Sequence, residues 1–186
     1  MQALKLDICK LDYLNQFIIP FKTLSDRNHQ FKYSIDGMFF ENYEMSELQK
    51  GKINVIVTLE KTPTLLIFLY QLEGTANVMC DRCLDYFDLP INTEFQMYVK
   101  FGKERKEQTD EILIIPESDN EINIMQYIYE YINLSLPIRR IHPEDKDGFS
   151  QCNSVFLEKL KELSKTEKQN DEIDPRWEIL KNIKLN

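Results

Sequence analysis

The chain has 186 residues, 42% of them hydrophobic, enough for one sizeable core or for a core with an appended tail. Its formal net charge of −8, from 23 Lys and Arg against 31 Asp and Glu, argues against a broad electrostatic grip on nucleic-acid backbone and leaves only local basic patches for that purpose. No apolar run reaches the ~18 residues of a membrane span, and residues 1–7 lack the basic-then-apolar order of a secretory signal. The expectation is a cytoplasmic protein with reduced thiols, no disulfide scaffold and no membrane partner.

Residues 31–40 alternate Phe31, Tyr33 and Ile35 and read as a strand, with turn chemistry at Asp36-Gly37. Residues 52–60 alternate more cleanly, with Ile53, Val55, Val57 and Leu59 on one side, and Thr62-Pro63 supplies a turn. Residues 65–78 continue as a long apolar strand with a bend expected near Gly74. A hairpin thus leads into Cys80-Asp81-Arg82-Cys83. Beyond it, Leu89, Ile91, Thr93, Phe95, Met97, Val99 and Phe101 recur at every second position, the period of a half-buried strand. Acidic residues then gather between Glu107 and Glu121, a stretch that reads as a solvated loop holding Glu117 and Asp119.

The helical signals come late. Residues 123–135 place Ile124, Ile128 and Tyr131 on one side with Asn123 available as a cap, and Pro137 ends the pattern. Residues 153–165 carry Val155, Phe156, Leu160 and Leu163 at helical spacing, with Lys and Glu opposite. After a polar linker, Asp174-Pro175 opens a short helix whose apolar face is Trp177, Leu180 and Ile183. A helix so short must dock, on its own domain or on a partner, through Trp177 and Leu180. These elements predict an α+β fold: a twisted antiparallel sheet, open or partly closed, with C-terminal helices packed on it. The expected organisation is a single domain over residues 1–165, then a linker and docking helix over 166–186.

Of only four cysteines, Cys9, Cys80, Cys83 and Cys152, two form the C-x-x-C at 80–83. That unit builds either a metal knuckle or a redox dithiol. A redox pair would sit at a helix N-terminus after a strand, whereas this motif lies between strands and is flanked by Asp81 and Asp85. His29 and His142 are the only histidines, and no nucleophile-elbow, Walker or dinucleotide pattern appears. Catalysis and small-molecule turnover are therefore not expected.

The stretch GTANVMCDRCL from Gly74, Tyr129-Glu130 with NLSLP from Asn133, IRRIHP from Ile138, Cys152-Asn153 and DPRW from Asp174 together resemble the large ribosomal RNA subunit accumulation protein family, YceD-like, across most of the chain. The resemblance implies a bacterial factor in maturation or accumulation of large-subunit ribosomal RNA. Members commonly carry the C-x-x-C and, after a leucine-proline segment, further cysteines. Five residues past Pro137, where that pattern has a cysteine, this chain has His142. Histidine and cysteine are interchangeable ligands of structural zinc, so Cys80, Cys83, His142 and Cys152 form a candidate zinc set, the alternative being a metal-free remnant.

Arg82, Arg139 and Arg140, with Lys103 and Arg105 in the locally basic stretch 100–106, are the candidate RNA or partner contacts, since guanidinium suits phosphate bidentately. The competing reading pairs these cations with the more numerous acids. The resulting expectation is a non-enzymatic ribosome-biogenesis factor binding a large-subunit precursor or its RNA. Two alternatives stand beside it: an acidic, zinc-stabilised module that holds a basic ribosomal protein, and a thiol enzyme using the C-x-x-C.

Overall fold

The computed structural model describes residues 13–144, 146, 148 and 150–167. Cys9, Trp177, Leu180 and the linker expected before them lie outside the described residues. Two compact units divide the chain: described residues up to Val78 with Tyr86–Arg140, and Met79–Asp85 with described residues from Ile141 onward.

In the first unit, six strands form one open mixed sheet in the order β2-β3-β4-β5-β7-β6. They are β2 (Asn28–Ile35), β3 (Gly51–Lys61), β4 (Leu65–Met79), β5 (Tyr86–Gly102), β6 (Lys106–Thr109) and β7 (Ile112–Pro116). Antiparallel pairing runs from β2 to β3, as Tyr33↔Val55, and on to β4, as Val57↔Tyr70. Gln71 bonds to Glu94 and Asn77 to Asp88, so β4 and β5 also run antiparallel. A separate two-stranded pair joins β1 (Ile18–Ile19) to β8 (Ile122–Asn123).

Period-two burial fills one sheet face. Ile53, Val55, Val57 and Leu59 of β3 and Leu66, Phe68, Tyr70 and Leu72 of β4 are almost completely buried. Burying each such side chain stabilises by roughly 1.5–3 kcal/mol. Helix α2 (Met125–Leu134) lies on that core through Met125, Ile128, Tyr131 and Ile132. The Tyr131 ring stacks on Phe95 at 4.6 Å and meets Tyr70 edge-on at 4.9 Å, so the helix is keyed to β4 and β5 by aromatic pairs each worth about 0.5–1.5 kcal/mol. Asn123 caps it, its side-chain oxygen accepting the Met125 amide at 2.9 Å. The α+β class, the three long strands and this helix agree with the expectation.

Three local expectations change. The first strand stops at Ile35, because the Asp36 carboxylate accepts the Met38 amide at 3.0 Å and starts a one-turn helix, α1 (Gly37–Phe40), that turns Phe39 and Phe40 into the core. The acidic stretch is not all loop: Ile112–Pro116 enters the sheet parallel to β5, with Val99↔Leu113 in register, and Lys106–Thr109 pairs outside it. The apolar run suits an interior slot, and the fully exposed β6 suits the edge. Last, the sheet order is open, so the partly closed form does not occur.

In β4, Gly74 has φ +154°, and a Cβ there would fall against the Lys52 carbonyl oxygen and 2.8 Å from Ile53 Cα. Only glycine lets the two strands approach there. The glycine stands a few residues before the C-x-x-C, and β4 continues through it in unbroken register with β3.

Candidate metal centre

The second unit consists of the segment linking β4 to β5 together with the C-terminal part of the chain, where helix α3 (Ser154–Glu167) lies. Residues 80–85 fold back sharply: the Leu84 amide donates to the Cys80 carbonyl at 2.9 Å, and the Cys80 amide donates to the Asp85 carbonyl at 2.9 Å. Closing so small a loop places Leu84 at φ 62°, a left-handed conformation that costs a non-glycine residue about 1 kcal/mol or more. The loop turns both sulfurs the same way and aims the Arg82 amide at Cys80 Sγ, 3.4 Å away.

His142 and Cys152 are brought together by backbone pairing. Glu144 bridges Ser150 antiparallel, and the Gln151 amide donates to the Pro143 carbonyl at 3.3 Å. This closes the ten-residue interval into a narrow loop. Ser150 Oγ accepts the Cys152 amide at 3.3 Å and faces Arg82 Nη1 at 3.5 Å. One residue on, Asn153 caps α3: its side-chain oxygen accepts the Val155 amide at 3.1 Å while its amide nitrogen donates to Asp85 at 3.2 Å. The cap thereby ties the second ligand pair to the end of the C-x-x-C loop.

As a result the ligand atoms of Cys80, Cys83, His142 and Cys152 all lie within 4.8 Å of one another. Cys80 Sγ is 3.8 Å from Cys152 Sγ, and His142 Nδ1 is 3.4 Å from Cys83 Sγ and 3.7 Å from Cys152 Sγ. Around a tetrahedral ion of zinc's size, sulfurs stand about 3.8 Å from each other and about 3.6 Å from an imidazole nitrogen. The cluster has the spacing to hold such an ion. All three thiols are buried and unbridged.

Electrostatics fit the same use. Burial pushes the Cys80 thiol up, but the amides of Cys83 and Arg82 and the hydrogen bonds from His142 outweigh it and bring it down from 9.0 to about 6. Cys83 goes the other way, raised by burial and by its neighbours Cys80 and Cys152 against the amides of Asn153 and Asp85. A thiolate is the metal-binding form of cysteine, and amide groups directed at sulfur stabilise it.

The candidate contact residues are divided between the two units. Arg82 belongs to the C-x-x-C loop and is half-buried. Arg140 bonds Glu47 at 2.9 Å and Arg105 bonds Asp119 at 2.8 Å, so these two engage acids, as the competing reading expects. Arg139 and Lys103 are exposed. Nothing in the sequence marks Ser150, Asp85 and Asn153 as site residues beyond the dipeptide Cys152-Asn153, because their roles arise from backbone geometry.

The family model described as Large ribosomal RNA subunit accumulation protein YceD matches residues 69–184, which include all four candidate ligands. No curated protein and no solved structure matches the chain.

Proposed function

The chain belongs to the large ribosomal RNA subunit accumulation protein family, YceD, and from that premise we propose that it promotes accumulation of large-subunit ribosomal RNA by binding a large-subunit precursor or its RNA, without making or breaking bonds. The observation that carries this reading is the family match itself, which spans the metal cluster and the Arg139-Arg140 pair.

Zinc is the ion of choice for one imidazole and three thiolates at tetrahedral spacing. Its part is structural: Cys80 and Cys83 hold one side and His142 and Cys152 the other, which fixes the C-x-x-C loop to the loop preceding α3. That fixed loop presents the Arg82 side chain, already directed by Ser150, to phosphate. Arg139, which is exposed, supplies a further guanidinium. Burial of all three thiols favours coordination over thiol chemistry, since a nucleophilic or redox cysteine must meet its substrate.

The test is the ratio of large- to small-subunit ribosomal RNA in cells lacking the protein. A reduced ratio restored by the wild-type chain, and not by Arg82→Ala with Arg139→Ala, supports the proposal. An unchanged ratio in the deletion contradicts it.

A further inference from the structure

A groove of about 430 Å³ opens in the first unit where α2 faces β6 and β7. Its floor is apolar, formed by the buried side chains of Met97 and Leu113. Tyr127 and Tyr131 of α2 supply aromatic wall, and Leu134, 68% exposed, extends the apolar surface outward. The rim is acidic: Glu107, Asp110 and Glu111 on the β6–β7 side, Glu130 on the helix. Among the described residues, none that lines it is basic. Arg105, a cation whose charge acts on Tyr127, is engaged with Asp119 at 2.8 Å. Moreover, β6 is an edge strand of the sheet, so among the described residues one row of its backbone groups has no neighbouring strand at the rim.

We propose that this groove binds an extended, arginine-bearing segment of a basic polypeptide. A guanidinium inserted there meets tyrosine rings, Tyr127 above all, and carboxylates at once, which suits its planar, weakly hydrated charge better than the compact ammonium of lysine. An aliphatic neighbour in the same segment covers Leu134, and the segment's backbone adds to β6. Phosphate backbone is repelled by the same four carboxylates, so RNA is not the occupant. The inference does not rest on the metal centre or on the RNA-binding proposal.

The experiment uses the full chain and a fluorescent peptide of alternating arginine and leucine, with a matched peptide carrying citrulline, the neutral isostere, in place of arginine. Binding is measured by anisotropy for the wild type, for the rim variant Glu107→Gln/Glu111→Gln/Glu130→Gln, and for a charge-matched variant elsewhere on the unit, Glu41→Gln/Glu60→Gln/Glu73→Gln; melting curves establish that each is folded. The rim variant should weaken binding at least about tenfold and the charge-matched one less than about threefold, with the citrulline peptide losing most affinity. Leu134→Ala should weaken it about threefold. Equal losses in both triple variants, or equal binding of arginine and citrulline peptides, would overturn the proposal, as would displacement of the peptide by single-stranded RNA but not by its unlabelled form. Co-sedimentation of the rim variant with ribosomal particles should be retained, which separates failure here from failure of the RNA reading.

Discussion

Cys83 Sγ and His142 Nδ1 stand 3.4 Å apart although 59 residues separate them in the chain. Everything between belongs to the first unit or its connections, so the second unit is assembled from pieces distant in the chain. Among the described residues, α3 leaves Val155, Leu160 and Leu163 exposed at 71%, 38% and 65%. A metal held by these four side chains would contribute its binding free energy to the folding of this unit.

Protein purified without chelator should carry close to one equivalent of zinc by elemental analysis. Cys80→Ser and His142→Ala should lose it and lower the melting temperature, while His142→Cys, which makes a four-cysteine site, should keep it. Less than about a tenth of an equivalent in the wild type would exclude a structural site of ordinary affinity.

In metal-free protein, Cys80 makes stability depend on pH. Its folded-state pKa, about 6, lies below the ordinary 9.0, so between those values the unfolded chain binds the extra proton. Stability from this group is full above 9.0, declines as pH falls and is gone below about 6. Cys83, shifted upward, opposes the trend only in the alkaline range. Denaturant unfolding of metal-free wild type should show rising stability across that window, and Cys80→Ser should flatten the slope. A slope unchanged in the variant would refute the assignment.

At Gly74, alanine meets both the positive φ and the Lys52–Ile53 backbone, and should cost at least about 2 kcal/mol. Gly148 has φ +80° but nothing within 4 Å of the place a Cβ would take, so the same change there should cost only about 1 kcal/mol. Urea denaturation of the two variants compares them directly.

Tyr70 is fully buried, and its hydroxyl has no hydrogen-bond partner among the described residues. Tyr70→Phe removes the desolvated hydroxyl and keeps the edge-on contact with Tyr131. The change should be neutral or stabilising by up to about 1 kcal/mol in thermal unfolding. A loss of more than about 1 kcal/mol would mean that the hydroxyl is satisfied.

The long strands are legible in the sequence because burial on one face imposes period two, and Ile53 to Leu59 keeps it without a break. Ile112 to Ile115 offers no alternation to read, since an interior parallel strand is apolar on both faces; its four consecutive aliphatics are the available signal. Asp36 reads as a turn, and the helix it caps escapes notice because Phe39 and Phe40 serve a strand pattern equally well. All four candidate ligands converge, but only the C-x-x-C can be placed from spacing. His142 and Cys152 meet through the Glu144–Ser150 bridge, a pairing of backbone groups that side-chain identity does not encode.

RNA-dependent binding to the large subunit is tested by sedimentation of a lysate containing the tagged full chain on a sucrose gradient, with and without ribonuclease. Co-migration with large-subunit precursors is expected, abolished by ribonuclease and weakened by Arg82→Ala with Arg139→Ala. Protein that stays at the top of the gradient in growing cells, or that remains with particles after the RNA is digested, would contradict RNA-dependent binding to the large subunit.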